Sequence, residues 1–379
     1  MPLIPQTSTP NRRTCMLMVT HACNLNCTYC YERYKDGAMM TFETAKSCIL
    51  KEVEFVKRSD KYKELEVDFM GGEPLMNFTL IQQVVEWMEQ AELGVPFITF
   101  ATSNGTLVTD EKKPWLEAHK DSFVVGLSYD GDEAMQACNR NTCPIDLSWF
   151  ARVWPFQGVR MTISKETVRT LAHGALSVQR AGLICTAALA QGVEWSDEDA
   201  QIYEQELRKL AKAYLDDYSL RPLEPLLTRP LSTIGMDQPQ ARFCGSGNGM
   251  ITYEVDGSVY PCHMFAPIVL GRNDAVPIEK SELCMSDVIE DTHCSGCAYK
   301  SWCPTCYGFN YCYRGDVRKR DHSVCRMVDA QVRVACEFQL NYYFRRINEI
   351  AEEDALIVRE AVRVARLIKD GKVHVNITK

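Results

Sequence analysis

Three thiols at Cys23, Cys27 and Cys30, in the run HACNLNCTYCYE from His21 to Glu32, are close enough along the chain to face one inorganic centre. A 4Fe–4S cubane takes thiolate ligands of this kind. Three protein thiolates leave one of its irons open to a group that is not protein. Tyr29, just before the last thiol, is placed to lie beside whatever binds there. The competing reading is a zinc site, which prefers four ligands from paired C-x2-C knuckles. No fourth ligand stands at such a spacing here unless His21 serves.

A second set of cysteines crowds the C-terminal third. Cys244 is followed by Gly257 and Cys262 in a C-x12-G-x4-C pattern; then come Cys294, Cys297, Cys303, Cys306, Cys312 and Cys325. These eight thiols are the number that two fully ligated cubanes need. Taken alone, the Cys294/Cys297 and Cys303/Cys306 pairs also fit a zinc ribbon. The chain holds 18 cysteines in 379 residues. So many in a chain with neither the size of a disulfide scaffold nor a signal peptide read as metal ligands in a reducing compartment. Of the seven outside both sets, Cys48 and Cys185 fall in helix and strand patterns as small core residues. Cys138 and Cys143 follow the fourth strand, where inert thiols are expected over a redox pair, and Cys15, Cys284 and Cys336 complete the count.

Net charge of -8 and a pI near 5.5 argue against a nucleic-acid binder. No apolar run approaches the roughly 18 residues of a membrane span, and the N-terminus lacks a signal-peptide core. A cytoplasmic location, with no membrane partner, is expected.

The elements that must position these groups alternate. An arm over residues 1–14 precedes a buried strand at Met16–Thr20 that feeds the cysteine loop. Thr41 caps a helix whose Phe42, Ala45, Ile49, Val53 and Val56 share one face. Strands follow near Leu65–Met70, Phe97–Thr102, Phe123–Ser128, Val159–Ile163 and Leu183–Leu189. Helices stand near Asn77–Leu93, Lys112–His119, Asp146–Phe156, Glu166–Ala181 and Asp197–Leu220. Six strand–helix units imply a parallel sheet with helices outside, fewer than close a full barrel. The fold class is therefore α/β: a partial (β/α)6 barrel over 15–234, a small cysteine-rich iron–sulfur domain over 235–327, and a C-terminal helical segment over 328–379. In that tail Phe338, Tyr342, Tyr343 and Phe344 form an aromatic patch expected to pack back on the barrel.

Chemistry in parallel α/β folds sits at the C-terminal ends of strands. The cysteine loop leaves the first strand, Gly71-Gly72-Glu73-Pro74 the second, Ser103-Asn104-Gly105 the third, and Ser128-Tyr129-Asp130-Gly131 the fourth. Glycines let a ligand approach the backbone, and Glu73 could pair with an ammonium.

With these motifs together, residues 15–220 resemble the radical S-adenosylmethionine (SAM) enzymes. The resemblance implies that the open iron of the first cluster chelates SAM. Gly71, Gly72 and Glu73 would hold the methionyl amino group, Ser128 the carboxylate, with Arg160 as a second candidate, and Asn104 would lie near the ribose. The later cysteines resemble the SPASM extension of these enzymes, which carries two auxiliary 4Fe–4S clusters, giving three in all. That assigns Cys294, Cys297, Cys303 and Cys325 to the outer cluster, and Cys244, Cys262 and Cys306 to the inner one. The family usually separates the third and fourth central cysteines by x3, whereas Cys303 and Cys306 are separated by x2. No cysteine stands between Cys185 and Cys244, so the inner cluster has either Cys312 as fourth ligand or an open iron for a substrate thiolate. The open form is the expectation.

The resemblance implies reductive cleavage of SAM to a 5′-deoxyadenosyl radical that abstracts hydrogen. Auxiliary clusters that can accept an electron favour an oxidative product. The expected function is a peptide maturase cross-linking a ribosomally made precursor peptide through a thioether or carbon–carbon bond, and CPTCYGFNY (Cys303–Tyr311) looks like what such enzymes carry. The alternatives are a sulfatase-type maturase forming formylglycine on a protein, and a non-catalytic zinc or iron–sulfur protein. Implied partners are the precursor peptide and a one-electron reductant such as flavodoxin or ferredoxin. Neither end looks long enough for a leader-gripping module, so a separate leader-binding protein is also considered. Asp130 is the candidate general base; Asp256, in a VDG turn, reads first as part of a hairpin.

Overall fold

A computed structural model describes residues 11–142, 144–236, 244–277, 291–346, 348 and 352–373. Cys143 and Cys284 lie outside them. The strands are β1 Arg12–Thr20, β2 Glu64–Gly71, β3 Phe97–Ser103, β4 Phe123–Leu127, β5 Gly158–Ile163, β6 Ile184–Leu189, β7 Met250–Tyr253 and β8 Val259–Tyr260. The helices are α1 Phe42–Arg58, α2 Phe78–Gln90, α3 Lys113–Ala118, α4 Glu133–Arg140, α5 Leu147–Val153, α6 Leu171–Arg180, α7 Asp197–Asp216, α8 Pro267–Leu270, α9 Tyr307–Arg314, α10 Cys325–Arg345 and α11 Glu352–Lys369.

Strands β1 to β4 pair parallel in sequence order, Met16 opposite Asp68 and Asp68 opposite Phe100. β5 and β6 pair parallel with each other, and a single bridge between Ser128 and Arg160 carries the curve from β4 to β5. The result is the open, partial barrel expected from six units. On β2 burial alternates strictly: Leu65, Val67 and Phe69 enter the core under the helices, while Glu66, Asp68 and Met70 face the barrel's interior. α1 starts where Thr41 accepts a hydrogen bond from the Thr44 N–H at 3.2 Å, and it buries Ala45, Ile49, Val53 and Val56. α7 starts with a reciprocal capping box between Ser196 and Asp199.

Four expectations need correction. β1 begins at Arg12, held by ion pairs to Glu64 and Glu66, so the last residues of the supposed arm belong to the sheet. The cysteine-rich segment is not set apart from the barrel. Its β7 pairs parallel with β1 and its β8 turns back antiparallel, so Asp256 does sit in a hairpin. Helix α4 is not expected from the sequence because its buried face, Met135, Gln136, Asn139 and Arg140, is mostly polar and makes no apolar stripe. The tail is two helices rather than one. α10 sets Phe338 against Tyr214, and Ala361 and Val364 of α11 pack with Trp302 and Val332, but Phe344 stands 75% exposed. The apolar stripe of α10 wins over the simple clustering of aromatic residues.

Candidate active site

The barrel's interior opens into a cavity of about 670 Å3. Cys23, Cys27 and Cys30 line it, on the loop that leaves β1. That loop makes little regular structure of its own and is pinned from outside. Thr20 and Ala22 carbonyls accept from the Gly72 and Glu73 N–H groups at 3.1 and 2.8 Å, Thr28 N–H donates to Asn139 O at 2.9 Å, and Asn24 donates to Thr106 at 2.7 Å. The buried His21 ring lies between Asp36 at 2.7 Å and Glu254 at 2.6 Å, tying the loop's root to the segment that follows β7.

Burial pushes the Cys27 thiol up to about 11, with Arg140 working against it, and raises Cys23 as well. Thiols this reluctant to ionise are poor free nucleophiles; a bound cation that deprotonates them makes them ligands. Among the described residues, the trio whose donor atoms all lie within 4.8 Å of one another is Asp291, Cys294 and His322, not the three loop thiols. Ligands around one tetrahedral zinc ion would sit about 4 Å apart. The wider loop suits a multi-iron cluster, so the residues fit the group.

Glu73 is buried and already committed: Oε1 accepts from Leu75 N–H at 3.1 Å and Ser103 Oγ at 2.8 Å, and Oε2 from Asn104 N–H at 2.8 Å. Its carboxylate therefore ties the ends of β2 and β3 together, with three donors already on its oxygens. A Cβ at Gly71 would come to 2.3 Å from the Thr20 carbonyl oxygen, and one at Gly72 to 2.4 Å from that of Ala22. The close approach these glycines permit is thus to the cysteine loop itself. Asn104 lines the cavity and donates to Asn24 at 3.0 Å; Ser128 lines the same wall.

Asp130 is fully buried and is not available as a base. Its carboxylate accepts from Tyr29 Oη, from Asn139 at 3.1 Å, from Arg140 Nε at 3.0 Å and Nη2 at 3.2 Å, and from Thr162 N–H at 2.8 Å. It is a positioning residue that holds Tyr29 and Arg140. Tyr29 lines the cavity with its hydroxyl on Asp130 and its ring 5.4 Å from the Arg140 guanidinium. Arg160 lines the same cavity, beside Ser128 in the sheet, with its guanidinium 6.0 Å from the Phe100 ring. The guanidinium near the thiols is that of Arg140, which the sequence reading missed along with α4.

The later cysteines gather into two groups. Burial raises Cys325 to about 12, and Cys303, Cys294 and Cys297 add to it from within electrostatic reach. Burial likewise raises Cys262 to about 12, with Cys306 and Cys244 contributing; Cys306 in turn feels Cys244 and Cys312. Tyr31, one residue past Cys30, is within electrostatic reach of Cys30, Cys306 and Cys262, its ring 5.4 Å from His263 and edge-on to Phe309 at 5.6 Å. Burial lowers His263 to about 4, so it lines the cavity as a neutral imidazole at ordinary pH. Nothing in the sequence singled out Tyr31 or His263, which depend on packing between distant segments.

The 4Fe-4S single cluster domain family matches residues 12–137. The radical SAM cyclopropyl synthase TigE of Paramaledivibacter caminithermalis is 29% identical over 128 residues, 30% of this chain and 26% of that one. The cysteine-type anaerobic sulfatase-maturating enzyme of Clostridium perfringens strain 13 is 22% identical over 367 residues, 87% of this chain and 92% of that one. Over its first third the chain is similar to radical SAM enzymes. Its alignment with TigE spans about a quarter of that protein's length. In fold, the chain is similar to anSMEcpe with bound AdoMet (TM-score 0.65, 16% identity, 93% of this chain and 99% of that one). It is also similar to Streptococcus suis SuiB bound to the precursor peptide SuiA (TM-score 0.56, 15% identity, 83% of this chain and 76% of that one). Among the described residues no helix is long and apolar enough to cross a membrane.

Proposed function

We propose that this chain is a SPASM-type radical SAM peptide maturase with three 4Fe–4S clusters, which oxidatively cross-links a ribosomally made peptide. The observation that carries the reading is Tyr31, which lines the cavity beside Cys30 and packs against the apolar cluster that includes Cys262 and Cys306. That packing supports an auxiliary site next to the SAM site. Cys23, Cys27 and Cys30 would hold the SAM cluster; Cys244, Cys262, Cys306 and Cys312 the inner one; Cys294, Cys297, Cys303 and Cys325 the outer one. The nearness of Cys312 to Cys306 supports full ligation of the inner set over the open iron expected from sequence. When bound, these groups supply one-electron cleavage of SAM to a carbon radical able to take hydrogen from an unactivated C–H, and acceptors for the electron released by substrate oxidation.

The chain's own residues prepare the chamber. Asp130 and Arg140 fix Tyr29 against the loop; Glu73 and Asn104 join the ends of β2 and β3 to it; Ser128 stands on the facing wall as the candidate for the methionyl carboxylate. Met16, Met70, Phe100 and Val124 supply apolar lining that keeps water sparse around a reactive centre. SuiB's complex with a precursor peptide supports a peptide as the substrate class.

A sulfatase-type maturase is the second reading, favoured by the alignment over 92% of the Clostridium perfringens enzyme. Anaerobic turnover with SAM, a low-potential reductant and candidate peptides separates them. A cyclised product lighter by two hydrogens supports cross-linking. A linear product with a hydrazide-reactive aldehyde supports the second reading, and no 5′-deoxyadenosine at all would overturn both.

A further inference from the structure

The floor of the barrel carries an acceptor and a donor that the reading above leaves unused. Asp68 projects inward from the middle of β2, and neither of its oxygens has a hydrogen-bond donor among the described residues; Oδ1 is closed off from solvent as well. Leaving a buried polar atom unpaired is costly, so such an atom in a native cavity wall points to a missing partner. Arg160 approaches from β5 across Phe100, which stands opposite Asp68 in the sheet register. The two feel each other electrostatically, yet no Arg160 nitrogen comes within the 4.0 Å of an ion pair. The other charges on this floor are already satisfied, because Arg12 holds Glu64 and Glu66 at 3.0 Å each.

A gap between an unpaired carboxylate and an unpaired guanidinium selects by charge. An ammonium suited to Asp68 would face Arg160, and a carboxylate suited to Arg160 would face Asp68. A neutral group with a donor at one end and an acceptor at the other satisfies both. We propose that Asp68 and Arg160 hold the carboxamide side chain of a substrate residue, its NH2 donating to Asp68 and its carbonyl oxygen accepting from Arg160. The assignment rests on the cavity being the substrate chamber. It makes this part of the cavity a specificity site. A site built this way discriminates, because a side chain without a donor at that end leaves the enclosed Asp68 Oδ1 unpaired.

The test uses the full-length protein, reconstituted anaerobically and loaded with SAM but no reductant. Saturation-transfer NMR compares the N-acetyl methylamides of glutamine, asparagine, lysine, glutamate and alanine. The expected result is binding of a carboxamide probe at least fivefold better than the other three, lost in Asp68→Ala and in Arg160→Met. Arg160→Met removes a side chain with no carboxylate partner, so folding is expected to survive, and circular dichroism checks it. Equal binding of the alanine probe, preference for lysine or glutamate, or selectivity unchanged in Arg160→Met would overturn the proposal. Formation of 5′-deoxyadenosine by the native protein, measured on the same batch after reduction, reports separately on the enzyme reading beneath it.

Discussion

Asp130 and Arg140 close on each other twice, Nε to Oδ2 at 3.0 Å and Nη2 to Oδ1 at 3.2 Å, where neither side chain has more than a tenth of its surface exposed. An isolated carboxylate or guanidinium could not persist there, so each depends on the other and on the Tyr29 and Thr162 donors. Asp130→Asn keeps the shape and removes the charge, leaving the Arg140 cation buried without its counter-ion. The expected cost is roughly 3–5 kcal/mol in denaturant unfolding. Tyr29→Phe removes one donor of several and is expected to cost about 1–3 kcal/mol. Equal effects from the two variants would contradict the view that the ion pair is the central contact.

The cysteine assignments predict iron arithmetic. Anaerobically reconstituted native protein is expected to hold about twelve irons, and the Cys23/Cys27/Cys30 triple alanine variant about eight. Cys312→Ala should weaken or empty only the inner site, lowering the count towards about eight while the loop cluster still binds SAM. A native count near four, unchanged by the triple substitution, would mean that the opening loop holds no cluster.

Gly72→Ala tests why the second strand ends as it does. Its new methyl would have to occupy space 2.4 Å from the Ala22 carbonyl oxygen and 2.8 Å from Cys23 Cβ. Overpacking of this kind costs about 1–3 kcal/mol, and here the strain falls on the loop that carries the thiols. The expected outcome is loss of about four irons with the auxiliary clusters kept. Normal iron content and SAM cleavage in Gly72→Ala would show that the two segments move apart easily.

Asp68 gives a pH prediction. Burial, with Glu66 adding and Arg160 opposing, raises its carboxyl from 3.8 to about 8. The folded chain then binds a proton that the unfolded chain has released over that interval. This group's contribution to stability is therefore present below pH 3.8 and lost progressively as pH rises to about 8. Asp68→Asn removes the dependence. Relative to the native protein, its melting temperature is expected to rise between acid and pH 8, measured without added peptide. A constant difference between the two proteins across that range would show that Asp68 is ionised at no cost.

Helix α4 shows where sequence reasoning runs out. Its eight residues, Glu133–Arg140, carry no stripe long enough to distinguish them from a turn, and its value lies in Asn139 and Arg140 at one end. Both reach Asp130, a residue the sequence could place after a strand but not surround. From position alone Asp130 looked free to take a proton, because burial and donor count are properties of the assembled site. Arg160 shows the converse. Its strand was legible, but that its guanidinium comes to 6.0 Å from the Phe100 ring depends on how β5 and β3 meet across the cavity.

The sequence by itself determined the strand–helix alternation, the order of the parallel strands and the three-thiol loop, because strand and helix periods and cysteine spacing are local properties. Tertiary structure alone decided that the cysteine-rich segment adds β7 and β8 to the barrel's sheet, that Tyr31 packs against the apolar cluster that includes Cys262 and Cys306, and that Asp68 and Arg160 face each other unpaired. Those relationships join residues far apart in the chain, and a contact between them depends on how curved, closed surfaces meet rather than on any local preference.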